Sequence, residues 1–179
     1  MKGTVDIKSK KELVSLIEEV RGGEMEAFRE IFNQFSDRLY GYAFSRTASR
    51  EDALDAVQDT FVDLWSGLHK FQYRSDEEFG GFIFKILKRK ISRQHRMRRG
   101  DISLEDINIE EGYEIEVEDY RFVTGSVDSL SQKYKEVVRL RYWAQMSFGE
   151  IASTLNIKEG AAKVRHKRAI EKLKENLNG

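Results

Sequence analysis

The stretch from Ser147 to Leu173, SFGEIASTLNIKEGAAKVRHKRAIEKL, decides the fold. Ser147 stands three residues ahead of Glu150, the reciprocal pair that caps a helix N-terminus, and Phe148, Ile151, Ala152 and Leu155 follow on one helical face. Asn156-Ile157 reads as a tight turn into a second helix, from Lys158 to about Leu177. There Ala162, His166, Ala169, Ile170 and Leu173 line the packed side, and Gly160, Lys163, Val164, Lys167 and Glu171 the opposite one. A capped helix, a tight turn and a second amphipathic helix form a helix-turn-helix. Such a second helix reads base edges from its N-terminal half, leaving Arg165, Arg168 and Lys172 to hold phosphates. A basic amphipathic helix alone is explained equally well by a solvated charged face. The cap and the turn ahead of it favour DNA binding.

Upstream, Ser131 to about Trp143 supplies a third helix, so a small unit begins near Val123 and runs to the C-terminus. Before it the charge changes abruptly. From Asp101 to Asp119 there are carboxylates and no Lys or Arg, whereas from Lys85 to Arg99 every charged side chain is basic. The formal net charge of zero, 31 basic against 31 acidic residues, is therefore a cancellation between neighbouring blocks rather than an argument against a nucleic-acid partner. The acidic block lacks continuous periodicity and reads as a linker. It is either a solvated tether or folds back on the basic helix in the free protein, since opposite charges this close along the chain attract.

The N-terminal part is also helical. Proline is absent, and apolar residues recur at helical rather than alternating spacing. Lys11 to Arg21 places Leu13, Leu16, Ile17 and Val20 on one face, ended by Gly22-Gly23. Glu24 to Thr47 carries a broad stripe that includes Phe28, Ile31, Phe32, Phe35, Leu39 and Tyr42. Ser49 then caps a helix from Glu51 to about Leu68. Leu54, Val57, Phe61, Leu64 and Trp65 form its apolar side, and Asp52, Asp55, Asp59 and Asp63 a one-signed opposite side. Ser66 to Glu78 reads as a loop holding Phe71 and Tyr73. A helix from about Phe79 to Arg98 buries Ile83, Ile86, Leu87 and Ile91 and turns Lys85, Lys88, Ser92 and Arg96 outward.

With no Cys, disulfides and thiolate metal sites are excluded, and no apolar run approaches a membrane span, so the expected location is cytoplasmic without membrane insertion. His69, His95 and His166 match no ligand or acid-base spacing, and neither a metal nor a cofactor is expected.

Two separated stretches resemble one family, the extracytoplasmic-function sigma factors of the sigma-70 family. LIEEVRGGEMEAFREIFNQFSDRLYGYAFSRTASREDALDAVQDTFVDLW is similar to the sigma-2 domain, and LSQKYKEVVRLRYWAQMSFGEIASTLNIKEGAAKVRHKRAIEKLKENL to the sigma-4 domain. The resemblance implies an all-α chain of two small helical domains, a sigma-2-like bundle and a sigma-4-like helix-turn-helix, joined by an acidic linker. Residues 1–21 then form an N-terminal helix on the first domain, 22–100 the sigma-2-like domain, 101–122 the linker and 123–179 the sigma-4-like domain. It implies a non-enzymatic factor that binds core RNA polymerase, through the beta-prime coiled coil and the beta flap, and directs it to promoter DNA, with an anti-sigma factor as a further partner. Asp52, Asp55, Gln58 and Asp59 become the polymerase contacts, and Phe71, Tyr73, Phe82, Lys85, Lys88 and Arg89 the minus-ten DNA contacts. Lys163, Val164, Arg165, Lys167 and Arg168 fall to the minus-thirty-five element. The chain departs from the usual family pattern at Ser131, Ala161-Ala162, His166, Phe82 and Arg89.

Two other functions fit parts of the pattern. A metal-dependent nuclease would use the Asp52–Asp63 stripe, but one convex helix face seldom supplies the converging ligands of a two-metal site. A stand-alone helix-turn-helix regulator accounts for the second unit and leaves the acidic helix and aromatic loop without a purpose.

Overall fold

The computed structural model describes residues 12–99 and 125–178, and every regular element among them is helical. The first four helices are α1 (Leu13–Arg21), α2 (Met25–Phe44), α3 (Arg50–Gly67) and α4 (Asp76–Arg99), with a short 3-10 turn, Leu68–Lys70, between α3 and α4. After a helical turn at 125–128 come α5 (Gln132–Tyr142), α6 (Phe148–Leu155) and α7 (Glu159–Asn178).

Local chemistry sets the ends. α1 stops where Gly23 takes φ 95°, a backbone conformation that costs an L side chain about 1–2 kcal/mol. α2 ends at Phe44, short of Thr47, because the hydroxyls of Ser45 and Thr47 turn back to the carbonyls of Tyr42 and Ala43. Ser49 caps α3 by accepting from the Asp52 backbone N–H at 3.1 Å. The helix-turn-helix forms as read. Ser147 and Glu150 make both bonds of a capping box, and Asn156 closes the turn at φ 54° with the Ile157 N–H on the Ala152 carbonyl.

Two expectations are corrected. α4 begins at Asp76 rather than Phe79, because Ser75 accepts the Glu78 N–H at 3.2 Å and Asp76, Glu77 and Glu78 sit favourably on the positive end of the helix dipole. The loop is thereby shortened to residues 71–75. Phe32, on the stripe of α2, and Leu54, on the apolar side of α3, are exposed: the apolar stripes of α2 and α3 are wider than the core between them, and their outer edges face solvent. The two units pack against each other. The second has a small core of its own around Val127, Leu130, Tyr134, Val138 and Ala169, yet Val137, Leu140, Ala144, Met146, Ile151 and Ala162 belong to one continuous core with α1–α4. α6 packs along α4. The acidic block at 101–119, with its expected masking of the basic helix, lies outside the described residues.

Candidate nucleic-acid and polymerase interfaces

Three surfaces carry the expected site residues, and the structure treats them differently. On α7, Lys163, Val164, Lys167 and Arg168 are exposed together and Arg165 is half-buried. Packing explains the display. Ala162 and Ala169 are fully buried, and His166 lies against the rings of Tyr142 and Phe148, which rotates the opposite face to solvent. Burial, with the nearby Arg141 cation, lowers the His166 pKa, so this ring is held neutral. Lys163 pairs with Glu159 at 2.7 Å, one turn earlier on the same helix, in an exposed and weak contact that a phosphate can replace. An exposed Val164 amid cations suits a major groove, where a thymine methyl offers an apolar contact.

On α3 the aspartates do not form one uniform stripe. Asp52 is drawn inward, accepting from Ser49 Oγ at 2.7 Å and from Arg98 at 2.5 Å. Lys90 holds Asp63 at 2.8 Å and stands 3.9 Å from Asp59. Asp55, Gln58 and Asp59 remain exposed. Beside them lies a feature absent from the sequence reading, an apolar groove of about 610 Å³ between α2 and α3. Phe28, Phe32, Phe61 and Trp65 form its base and walls, Leu54 and Val62 its lip, and Gln58 contributes a polar edge. The signal was present in the sequence: more apolar positions on α2 and α3 than one shared core can bury.

The third surface is α4 with the segment before it. Phe71 and Phe82 stack at 4.7 Å and 27°, and both pack against the core with Tyr73. The Tyr73 hydroxyl donates to Asp76 at 2.7 Å, a bond that raises its pKa to about 12. Lys85 and Arg89 are exposed as expected. Lys88 is not. It is corrected from a solvent-facing cation to a member of a buried cluster, its Nζ 2.6 Å from Glu136 of α5.

Glu136 is only 5% exposed. Its Oε1 also accepts from the Tyr42 hydroxyl at 2.6 Å and its Oε2 from Arg46 at 2.7 Å. Burial by itself would raise the carboxyl's pKa, but Lys88 and Arg46, with hydrogen bonds from Lys88 and Tyr42, bring it below the ordinary value. The glutamate is thus charged, with cations supplied by Arg46, just past the end of α2, and by Lys88 of α4. A second bridge lies nearby. Arg38 reaches the Ala144 carbonyl at 2.8 Å and Glu150 Oε1 at 2.6 Å, so Glu150 caps α6 with one oxygen and ties α2 to it with the other. Close backbone approach completes the contact. A Cβ on Gly81 would stand 2.4 Å from Ser153 Oγ and 2.9 Å from its Cβ, and one on Gly41 would stand 2.6 Å from the Trp143 carbonyl oxygen.

Among the described residues no helix is long and apolar enough to cross a membrane, and no group of three or more His, Cys, Asp or Glu could hold a metal ion. Comparison with known proteins places both units. Residues 31–100 match Sigma-70 region 2, and residues 127–175 match Sigma-70, region 4. The chain is 24% identical to the ECF RNA polymerase sigma factor BldN of Streptomyces coelicolor, over 90% of this chain and 64% of BldN. It is 22% identical to the ECF RNA polymerase sigma factor SigW of Bacillus subtilis, over 90% of this chain and 94% of SigW. The solved structure of CnrH in complex with the cytosolic domain of CnrY is similar at a TM-score of 0.69 and 25% identity, covering 92% of this chain and 96% of CnrH. With region 2 on α2–α4 and region 4 on the helix-turn-helix, in family order, the chain belongs to the sigma-70 family as an RNA polymerase sigma factor of the ECF type.

Proposed function

We propose that this sigma factor docks on core RNA polymerase through the α2–α3 groove, captures the melted minus-ten strand with α4 and residues 71–75, and reads minus-thirty-five duplex with α7. The observation that carries the docking is the pairing of an apolar groove with exposed carboxylates at Asp55 and Asp59, a surface shaped for an amphipathic helix with basic flanks. The resemblance to the sigma-2 domain makes the beta-prime coiled coil the partner proposed for it. Asp52 takes no direct part, because Ser49 and Arg98 hold it.

Single-stranded DNA needs cations along its backbone and flat faces for its bases. Lys85, Lys88 and Arg89 supply the first, and the Phe71–Phe82 pair with Tyr73 the second, provided that the bases reach this half-buried edge. The beta flap is the expected polymerase contact of the second unit. An anti-sigma factor is a further partner, a reading supported by the similar sigma factor RpoE of Bartonella quintana, which was solved in complex with the anti-sigma factor NepR.

The test is co-purification with core polymerase of the full chain carrying Asp55→Arg and Asp59→Arg. Both side chains are exposed, and Lys90 keeps Asp63 when Asp59 is reversed, so helicity should be unchanged while polymerase is lost. Undiminished recovery of polymerase would refute the docking surface.

A further inference from the structure

The N-terminal helix contributes to none of the three candidate surfaces, yet its last residue reaches one of them. Arg21, at the C-terminal end of α1, donates from Nε to the Leu68 carbonyl at 3.5 Å and from a terminal nitrogen to the Phe71 carbonyl. We infer that Arg21 is a positioning residue for minus-ten capture: it braces the carbonyls on either side of the 3-10 turn from which Phe71 enters the segment proposed to meet the single strand. The inference rests on the reading of Phe71, Phe82 and Tyr73 as the edge that receives bases.

The brace is built from both sides. α1 buries Leu13, Leu16, Ile17 and Val20 and packs on α2 and on the turn itself, so the stem of Arg21 starts from a fixed point. Glu18, one turn earlier, holds Nη1 and orients the guanidinium. Its planar fork of donors suits two acceptors at once, which an ammonium on a flexible stem does not. On the other side, Leu68 is fully buried and its carbonyl also accepts the Phe71 N–H at 3.2 Å, which closes the turn. Residues 71–75 belong to no helix, so the first of them has no helical ladder to hold its carbonyl. Arg21 supplies that bond. Its direction matters, because Phe71 leaves the turn extended, at φ -72° and ψ 130°, with its ring 4.7 Å from that of Phe82 and 5.4 Å from that of Phe79. A swing of the Phe71 carbonyl carries the ring with it and separates the stacked pair. With Glu18 and two carbonyls as partners, the guanidinium acts through Phe71 rather than on a phosphate.

The test uses holoenzyme reconstituted from core polymerase and the full chain, with a promoter that wild-type holoenzyme selects from a random-sequence library. Two fragments of that promoter are the probes: a duplex spanning the minus-thirty-five element, and a fork whose minus-ten non-template strand is single-stranded. Arg21→Ala should bind the fork at least ~10-fold more weakly, because apparent affinity scales with the fraction of chain in the competent conformation. Its binding of the duplex and of core polymerase should stay at the wild-type level. Arg21→Lys keeps the charge but not the fork of donors, and should recover only part of the loss. Phe71→Leu removes the flat ring and keeps an apolar side chain against the core; in that chain Arg21→Ala should weaken fork binding by less than ~2-fold more, since the two act as one unit. Wild-type fork binding by Arg21→Ala, alongside a loss in Phe71→Leu, would overturn the inference and leave the aromatic edge standing. Equal losses on fork, duplex and core polymerase would reduce Arg21 to a structural residue, and full recovery by lysine would reduce it to a charge; either overturns the brace. An undiminished loss from Arg21→Ala in the Phe71→Leu chain would overturn action through Phe71. Wild-type fork binding by Phe71→Leu would remove the aromatic edge as the base platform, and the inference with it.

Discussion

Glu136→Gln has an energetic consequence that can be worked out from the cluster itself. The amide can still accept from Tyr42 and Lys88 through its oxygen, but its NH2 group then faces the Arg46 guanidinium, donor against donor. Arg46 has a side chain only 11% exposed, and its Nε already lacks a hydrogen-bond partner, so little water is available to replace the carboxylate. Breaking a buried ion pair by removing one partner costs about 3–5 kcal/mol. Lys88, at 31% exposed, recovers part of its hydration, which reduces its share. We expect a net loss of about 2–4 kcal/mol, or roughly 5–15 °C in Tm for a chain of this size. The pH dependence carries an independent sign. Because the folded-state pKa of Glu136 is lowered, its contribution is fully present above the ordinary carboxylate pKa of about 4.3 and is lost as pH falls through its own lower value. The stability gap between wild type and variant should therefore be constant near neutrality and shrink below about pH 4, as followed by denaturant unfolding with circular dichroism. A variant within about 2 °C of wild type at neutral pH, or a gap that does not shrink on acidification, would refute the charged-cluster account.

The other surfaces give two further predictions. Leu54→Asp places a charge on the lip of the groove at a residue 48% exposed, so stability should stay within about 0.5 kcal/mol of wild type while polymerase co-purification falls by at least ~30-fold, the cost of losing an interface anchor of ~2 kcal/mol. Lys167→Ala, at an exposed position on α7, should weaken holoenzyme binding to all minus-thirty-five duplexes alike and reduce the salt slope by about 1 if it contacts phosphate; a base contact would show as relaxed specificity at one position, and unchanged binding would displace the face.

What could be read in the sequence follows from the range of the interactions. The Ser147–Glu150 box, the Asn156 turn and the alternation of buried and exposed positions on α7 are written within one or two helical turns, and the structure repeats them. The first turn of α4 is also local, but Ser75 and the three acids after it fit a loop as well as a helix start until the Glu78 N–H is seen on Ser75. The Tyr42–Glu136 and Arg38–Glu150 contacts span 94 and 112 residues, and a carboxylate on a helix carries no record of so distant a partner. Glu136 could still have drawn suspicion, since it shares a turn with Val137 and Leu140, which are fully buried. Gly80-Gly81 gave the clearest unused signal, because paired glycines inside an otherwise regular helix mark a close approach.

The position of the Glu136 cluster relative to the groove bears on whether docking disturbs the packing of the two units. Phe28 and Phe32 stand on the N-terminal half of α2, whereas Tyr42 and Arg46, which hold Glu136, stand at its C-terminal end and just beyond. Fourteen residues of helix separate Phe28 from Tyr42, about 21 Å along the axis. A helix in the groove therefore need not displace the second unit. Salt alone is a poor means of parting the two units, because the Glu136 pairs are buried and screened far less than exposed ones.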